Sequence, residues 1–143
     1  MSGVPFHYID LRAFCYVTED EKRVADALGA LLPEETNLDR AESEGHFGDR
    51  ILVLSARVEK ADGMREVLDR LGDLPDAERE RLQAELDERV NENCAFFLTL
   101  DKQAAFDREV TFGDGITLRA KVEAYPAERE TAVENAREAL ADL

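Results

Sequence analysis

From His7 to Val17 apolar and polar side chains alternate. Ile9, Leu11, Ala13, Cys15 and Val17 point one way and Tyr8, Asp10, Arg12, Phe14 and Tyr16 the other, which predicts a β-strand with two unlike faces. The period then changes. Thr18-Glu19-Asp20-Glu21 fits a capping box, and Val24, Ala27, Leu28 and Leu31 follow at helical spacing up to Pro33, predicting a helix over 19–32. The short polar segment 37–44 reads as an edge strand entering the loop Gly45-His46-Phe47-Gly48. Residues 51–59 form the clearest strand, with Leu52, Leu54, Ala56 and Val58 on one face and Ser55 and Arg57 on the other. The loop and its two flanking runs suggest a hairpin.

From Ala61 to about Asn93 the pattern is helical, and Gly72 and Pro75 divide it into two helices. A third clear strand is expected over 94–100. A fourth, 116–125, follows the turn Gly113-Asp114-Gly115, with Ile116, Leu118, Ala120, Val122 and Ala124 inward and Thr117, Arg119, Lys121, Glu123 and Tyr125 outward. Val110 to Phe112 is expected to pair across that turn. Pro126 is expected in the first turn of a last helix carrying Val133, Ala136, Leu140 and Leu143. Strands and helices in mixed order, with hairpin signals in each half, favour an α+β two-layer sandwich over a doubly wound sheet. Its helices would cover one sheet face and leave the other available.

The 143 residues match one domain spanning 1–143. No run of about 18 apolar residues and no basic, apolar and small-residue order at the start point to a membrane span or a signal peptide, so a cytoplasmic protein is expected. Cys15 and Cys94 sit in apolar strand-like runs and, with His7 and His46, lack the close spacing of a zinc site; no metal or cofactor is expected.

Net charge changes the picture more. It is −15, from 33 acidic residues against 14 Arg and 4 Lys. Such acid-rich, lysine-poor composition resembles that of proteins from salt-loving archaea. At about 1 M salt the screening length is roughly 3 Å, so a diffuse negative field would not exclude a nucleic-acid partner.

The cations are unevenly placed. The four clear strands and their ends carry six bases and four acids, whereas the first helix, the helix from Asp76 and the last helix together carry 16 acids and seven bases. Phe14 and Tyr16 interleave with Arg12, and Tyr125 is expected on the face of Arg119 and Lys121. Rings among cations on an open sheet suit single-stranded RNA, because bases stack on rings while guanidinium groups hold phosphates. The alternative is cross-strand pairing, in which Arg12, Arg57 and Arg119 neutralise Asp10 and Glu123. Behind the third strand, Lys102 and Gln103 offer a phosphate-seeking cation and an amide that donates and accepts; otherwise Asp101 merely caps a turn and Lys102 is solvated.

HYIDLRAFCYVTED at 7–20, EGHFGDRILVLSARV at 44–58, LTLDKQAAF at 98–106 and KVEAYPAERE at 121–130 resemble an archaeal family described as RNA-binding proteins or predicted exosome subunits. The resemblance covers nearly the whole chain in order. It implies a fold similar to the ribosomal protein that carries 5S RNA: an α+β sandwich with a mixed, mostly antiparallel sheet and helices on one side. It carries over Arg12, the Gly45-His46-Phe47-Gly48 loop and Asp101-Lys102-Gln103 as functional positions. Where relatives are lysine-rich this chain is acidic, which weakens any argument from diffuse charge.

The Gly45-x-x-Gly48 spacing precedes a strand, unlike the phosphate-clamping loop of KH domains, and reads as a turn. His46 can donate to phosphate or pack on Phe47. No nucleophile elbow, P-loop or zinc signature is present. The reading is a non-catalytic RNA-binding accessory protein of archaeal RNA processing or exosome-linked degradation. Arg12, Phe14, His46, Arg57, Lys102, Gln103, Arg119 and Lys121 are its candidate RNA contacts, and Tyr16 is an alternative stacking ring. The alternative is a module docking onto an exosome or ribonuclease complex without touching RNA. A nuclease built on His46 and nearby acids rests only on their coincidence.

Overall fold

The computed structural model describes residues 4–34, 36–44, 48–141 and 143. Its centre is the first strand. The alternating run forms β1 (Phe6–Cys15), which pairs on one side with β3 (Arg50–Val58) and on the other with β5 (Gly115–Val122). Outside these lie β2 (Asp39–Glu44) and β4 (Ala95–Asp101), so the order is β2-β3-β1-β5-β4. All four pairings are antiparallel, where a mixed but mostly antiparallel sheet was expected.

One face of every inner strand is apolar, and helices cover it. Ile9, Leu11 and Ala13 from β1, Leu54 and Ala56 from β3, Phe96 and Leu98 from β4, and Ile116 and Leu118 from β5 are all buried. They share a core with Leu28 of α1 (Glu21–Gly29), Val67 of α2 (Ala61–Leu71), Leu82 of α3 (Asp76–Ala84), Leu86 of α4 (Leu86–Arg89), Ala105 of α5 (Lys102–Phe106) and Ala136 of α6 (Arg129–Leu140). Burying a leucine such as Leu118 contributes about 1.5–3 kcal/mol, so strand alternation fixes both register and the identity of the covered face. The result is the two-layer α+β sandwich that the patterning predicts.

Local chemistry moves several boundaries. Asp20, not Thr18, caps α1, its carboxylate accepting from the Lys22 N–H at 2.9 Å. The box expected from Thr18 and Glu21 does not form, because Glu21 opens the helix itself and its carboxylate accepts from Arg40. The helix ends at Gly29; Leu31 and Leu32 stay buried through tight turns to Leu28 and Gly29 before Pro33. The expected strand over 94–100 begins one residue later because Cys94 adopts φ 61°, while Asn91 accepts from the Ala95 N–H.

The residues before Gly113 do not pair across the turn with β5, contrary to expectation. Phe112 bridges instead to Leu100, Asp101 donates to the Thr111 carbonyl, and Gly113 donates to the Thr99 carbonyl. Together with a bridge from Val90 to Phe96, this covers the outer edge of β4 near both ends, which limits edge-to-edge pairing there. Among the described residues the outer edge of β2 pairs with no further strand, and all six residues of β2 are exposed. At the other boundary β5 stops at Val122. Tyr125 lies beyond the sheet, 97% exposed, so it does not share the face of Arg119 and Lys121. Pro126 precedes α6 by three residues and does not fall in its first turn.

Candidate nucleic-acid interface

The antiparallel register turns the uncovered face into a grid that can be read strand by strand. One row crosses the sheet as Asp39, Ser55, Arg12, Thr117 and Thr99. The next holds Arg57, Asp10, Arg119 and Phe97. Beyond that, Tyr8, Lys121 and Ala95 lie abreast, and on the opposite side of the first row stand Ala41, Val53 and Phe14. The four cations of this face therefore come from three adjacent strands, and two of its acids, Asp10 and Asp39, lie among them.

The cations differ sharply in what holds them. Arg57 makes a two-pronged bond to Asp10, at 2.8 and 3.0 Å, and lies 3.8 Å over the Tyr8 ring. Its hydrogen bond to Asp10 raises the Arg57 guanidinium above its ordinary pKa. Lys121 donates to the Asn93 carbonyl. Arg12 and Arg119, by contrast, make no ion pair among the described residues. Each instead rests beside a ring, Arg12 at 5.5 Å from Phe14 and Arg119 at 5.5 Å from Phe97. Cross-strand neutralisation thus accounts for Arg57 alone.

Around Arg12 and Arg119 the face sinks into a pocket of about 390 Å³ lined by Asp10, Asp39, Ser55, Arg57, Phe97 and Thr117. Small residues flank Arg12 on both neighbouring strands, Ser55 and Thr117, so the floor is low where the guanidinium stands. Toward the end of β1, Phe14 is 40% and Tyr16 49% exposed, with ring centres 6.5 Å apart. Two exposed rings two residues apart, Phe14 in β1 and Tyr16 just past its end, give neighbouring flat surfaces for bases, and the Arg12 guanidinium beside Phe14 supplies charge.

The Lys102-Gln103 corner is built differently from the expected phosphate contact. Asp101 caps α5, accepting from the Ala104 N–H at 2.8 Å. This turns Lys102 back across the end of the sheet, where its ammonium donates to the Phe14 carbonyl at 2.9 Å and to Glu19 at 2.8 Å, 5.6 Å from the Tyr16 ring. Burial alone would push the Glu19 carboxyl up. The Lys102 hydrogen bond, the Tyr16 N–H and the Lys102 charge outweigh it and hold Glu19 below its ordinary value. Lys102 is thus a tie between α5, β1 and the segment leading into α1, and Gln103 beside it is exposed. His46 and the loop residues 45–47 lie outside the described residues.

The strand pattern turns Ser55 and Thr117 outward without giving them a role, and it singles out neither Phe97 nor Asp39. Phe97 lies in an apolar run, and Asp39 lies in a polar segment without a clear period. Only the register places them beside Arg119 and Arg12.

Among the described residues no cluster of three or more His, Cys, Asp or Glu side chains is placed to hold a metal ion, and no helix is long and apolar enough to cross a membrane.

Comparison with known proteins places the family and agrees with the fold. The family model described as RNA binding matches residues 8–122. RNA-binding protein PAB1135 of Pyrococcus abyssi is 36% identical over 143 residues, covering 94% of this chain and 93% of that protein. Among solved structures, Mth689, a DUF54 protein of Methanothermobacter thermautotrophicus, is 38% identical with a TM-score of 0.76, over 94% of this chain and 98% of that one. Protein AF2318 of Archaeoglobus fulgidus is 27% identical with a TM-score of 0.85, over 94% of this chain and 99% of that one.

Proposed function

The chain belongs to the RNA-binding family whose match spans residues 8–122, and from that membership we propose that it binds single-stranded RNA on the helix-free face of its sheet. The reading is carried by one observation: Arg12 and Arg119 stand mid-face without a carboxylate partner among the described residues, each beside an aromatic ring. Guanidinium groups so placed reach phosphates or base edges, while Phe14, Tyr16 and Phe97 stack bases. Arg57 and Lys121 border the track, and Gln103 extends it at the corner. His46, outside the described residues, is proposed as a further backbone contact. Lys102 contributes by holding that corner in place.

The role is that of a non-catalytic accessory factor in archaeal RNA processing or exosome-linked degradation, working at high internal salt. The composition supports the salt setting, with net charge −15 and only four lysines. Counterion release adds little affinity at high salt, so stacking and placed hydrogen bonds carry the binding.

The test is affinity for a panel of single-stranded RNAs in about 2 M KCl, well above the salt at which diffuse charge acts. The unmodified chain should bind at micromolar protein or better. Arg12→Ala with Arg119→Ala should weaken binding about tenfold or more, as expected for two lost charge-assisted contacts. No binding by the parent, or equal binding by the variant, removes the reading. RNA incubated with the protein and magnesium or manganese should remain intact; cleavage would show a catalytic role.

A second reading draws on the fully exposed outer edge of β2, which an extended segment of an exosome or ribonuclease subunit could extend by strand addition. Co-purification with such subunits that survives ribonuclease treatment, and is lost on placing proline in β2, would favour it.

A further inference from the structure

Of the two carboxylates lining the pocket on the sheet face, Asp10 is held by Arg57, which leaves Asp39 as a group that a phosphate site would exclude. Asp39 lines the pocket across Ser55 from the unpaired Arg12, is exposed, and makes no ion pair among the described residues. A carboxylate here repels a phosphate. It suits a nucleobase edge that presents donors, and the adjacent guanidinium suits an edge that presents acceptors.

Resting on the RNA-binding reading above, we infer that this pocket selects guanine, with Asp39 accepting from the base N1–H and N2–H and Arg12 donating to O6 and N7. The spacing comes from the register. Asp39 and Arg12 both pair with Ser55, from opposite sides, so their backbones stand two strand spacings apart, roughly 9.5 Å. That is the span of one purine with a hydrogen bond at either end, and Ser55 between them is small enough to let the ring lie over it.

Arg57 is already tied to Asp10 and does not compete for Asp39. Among the four bases, guanine has two adjacent donors on one edge and two adjacent acceptors on another. Adenine would turn its amino group toward Arg12, uracil offers one N–H, and cytosine is too narrow to reach both groups.

The experiment uses the full chain and fluorescently labelled U-rich octamers carrying one central guanine, adenine, cytosine or inosine, in 2 M KCl. A single guanine avoids four-stranded structures. The guanine oligomer should bind about tenfold or more tighter than the adenine, cytosine and all-uracil oligomers, the scale of one two-pronged base contact. Inosine, which lacks the N2 amine, should lose most of that gain. Asp39→Asn should abolish the guanine preference, so that the guanine and all-uracil oligomers bind the variant equally. Equal binding of the guanine, adenine, cytosine and all-uracil oligomers, or a guanine preference that survives Asp39→Asn, overturns the assignment and leaves the RNA-binding reading standing. Absence of binding to every oligomer brings down both.

Discussion

Replacing Lys102 with alanine separates two roles for the residue, a solvent-facing RNA contact and an internal tie. In the structure its ammonium donates at 2.9 Å to the Phe14 carbonyl and at 2.8 Å to Glu19, and its side chain is only 18% exposed against 30% for Glu19. Exposed ion pairs contribute about 0–1 kcal/mol, and breaking a fully buried one costs about 3–5 kcal/mol. This pair is intermediate in burial, and the truncation also strands a half-buried carboxylate, so the expected loss is about 2 kcal/mol. For a chain of this size that lowers the melting temperature by about 4–8 °C.

The acid side adds a signature. Glu19 has a lowered pKa in the folded state, so the stability it contributes is complete above its ordinary value of 4.5 and drains away as pH falls through the lowered folded value. Without Lys102 nothing offsets burial of the carboxyl to the same degree. The gap between parent and variant should therefore be widest near neutral pH and narrow below about pH 4, where the parent loses the same contribution. Urea unfolding at pH 7 and at stepped acid pH measures both. A variant within about 0.5 kcal/mol of the parent at neutral pH, the ordinary range for surface substitutions, refutes the tie and returns Lys102 to the surface.

Phe14→Ala should weaken single-stranded RNA binding by about 1–3 kcal/mol, the worth of one stacked base, with little change in melting temperature because the ring is already exposed; binding titration and thermal unfolding on the same sample check it. Asp10→Asn frees Arg57 from its bidentate partner, so RNA affinity should rise by a few fold while stability falls by less than about 1 kcal/mol; weaker RNA binding would contradict the assignment. Gly113→Ala should destabilise by about 1–3 kcal/mol in urea unfolding, since an added methyl would meet the Asp101 Cα at 2.9 Å, in the residue that caps α5.

Much of this was legible from period alone. Where a strand is half-buried, the two-residue alternation of 8–16 or 116–122 fixes its inner and outer faces, and the structure places Arg12, Arg57 and Arg119 on the uncovered side accordingly. What was not legible is pairing between distant strands. Nothing local shows that Arg57 spends its charge on Asp10, 47 positions away, whereas Arg119, opposite the same Asp10, does not. Lys102 is the sharpest case: its neighbours in sequence make it a solvated cation at a strand end, and only the packing of α5 against α1 brings it to Glu19, 83 positions away. Phe112 likewise obeys long-range geometry, bridging to Leu100 because the chain after α5 returns along β4.

The central claim is that RNA lies on the helix-free face of the sheet, and resonance mapping of the labelled protein with a single-stranded RNA tests it most directly. The account predicts saturable shifts at Arg12, Ser55, Phe97, Thr117 and Arg119, with the amides of α3 and α6 unmoved. Shifts concentrated on those helices, or none on the sheet face at saturating RNA, would contradict it.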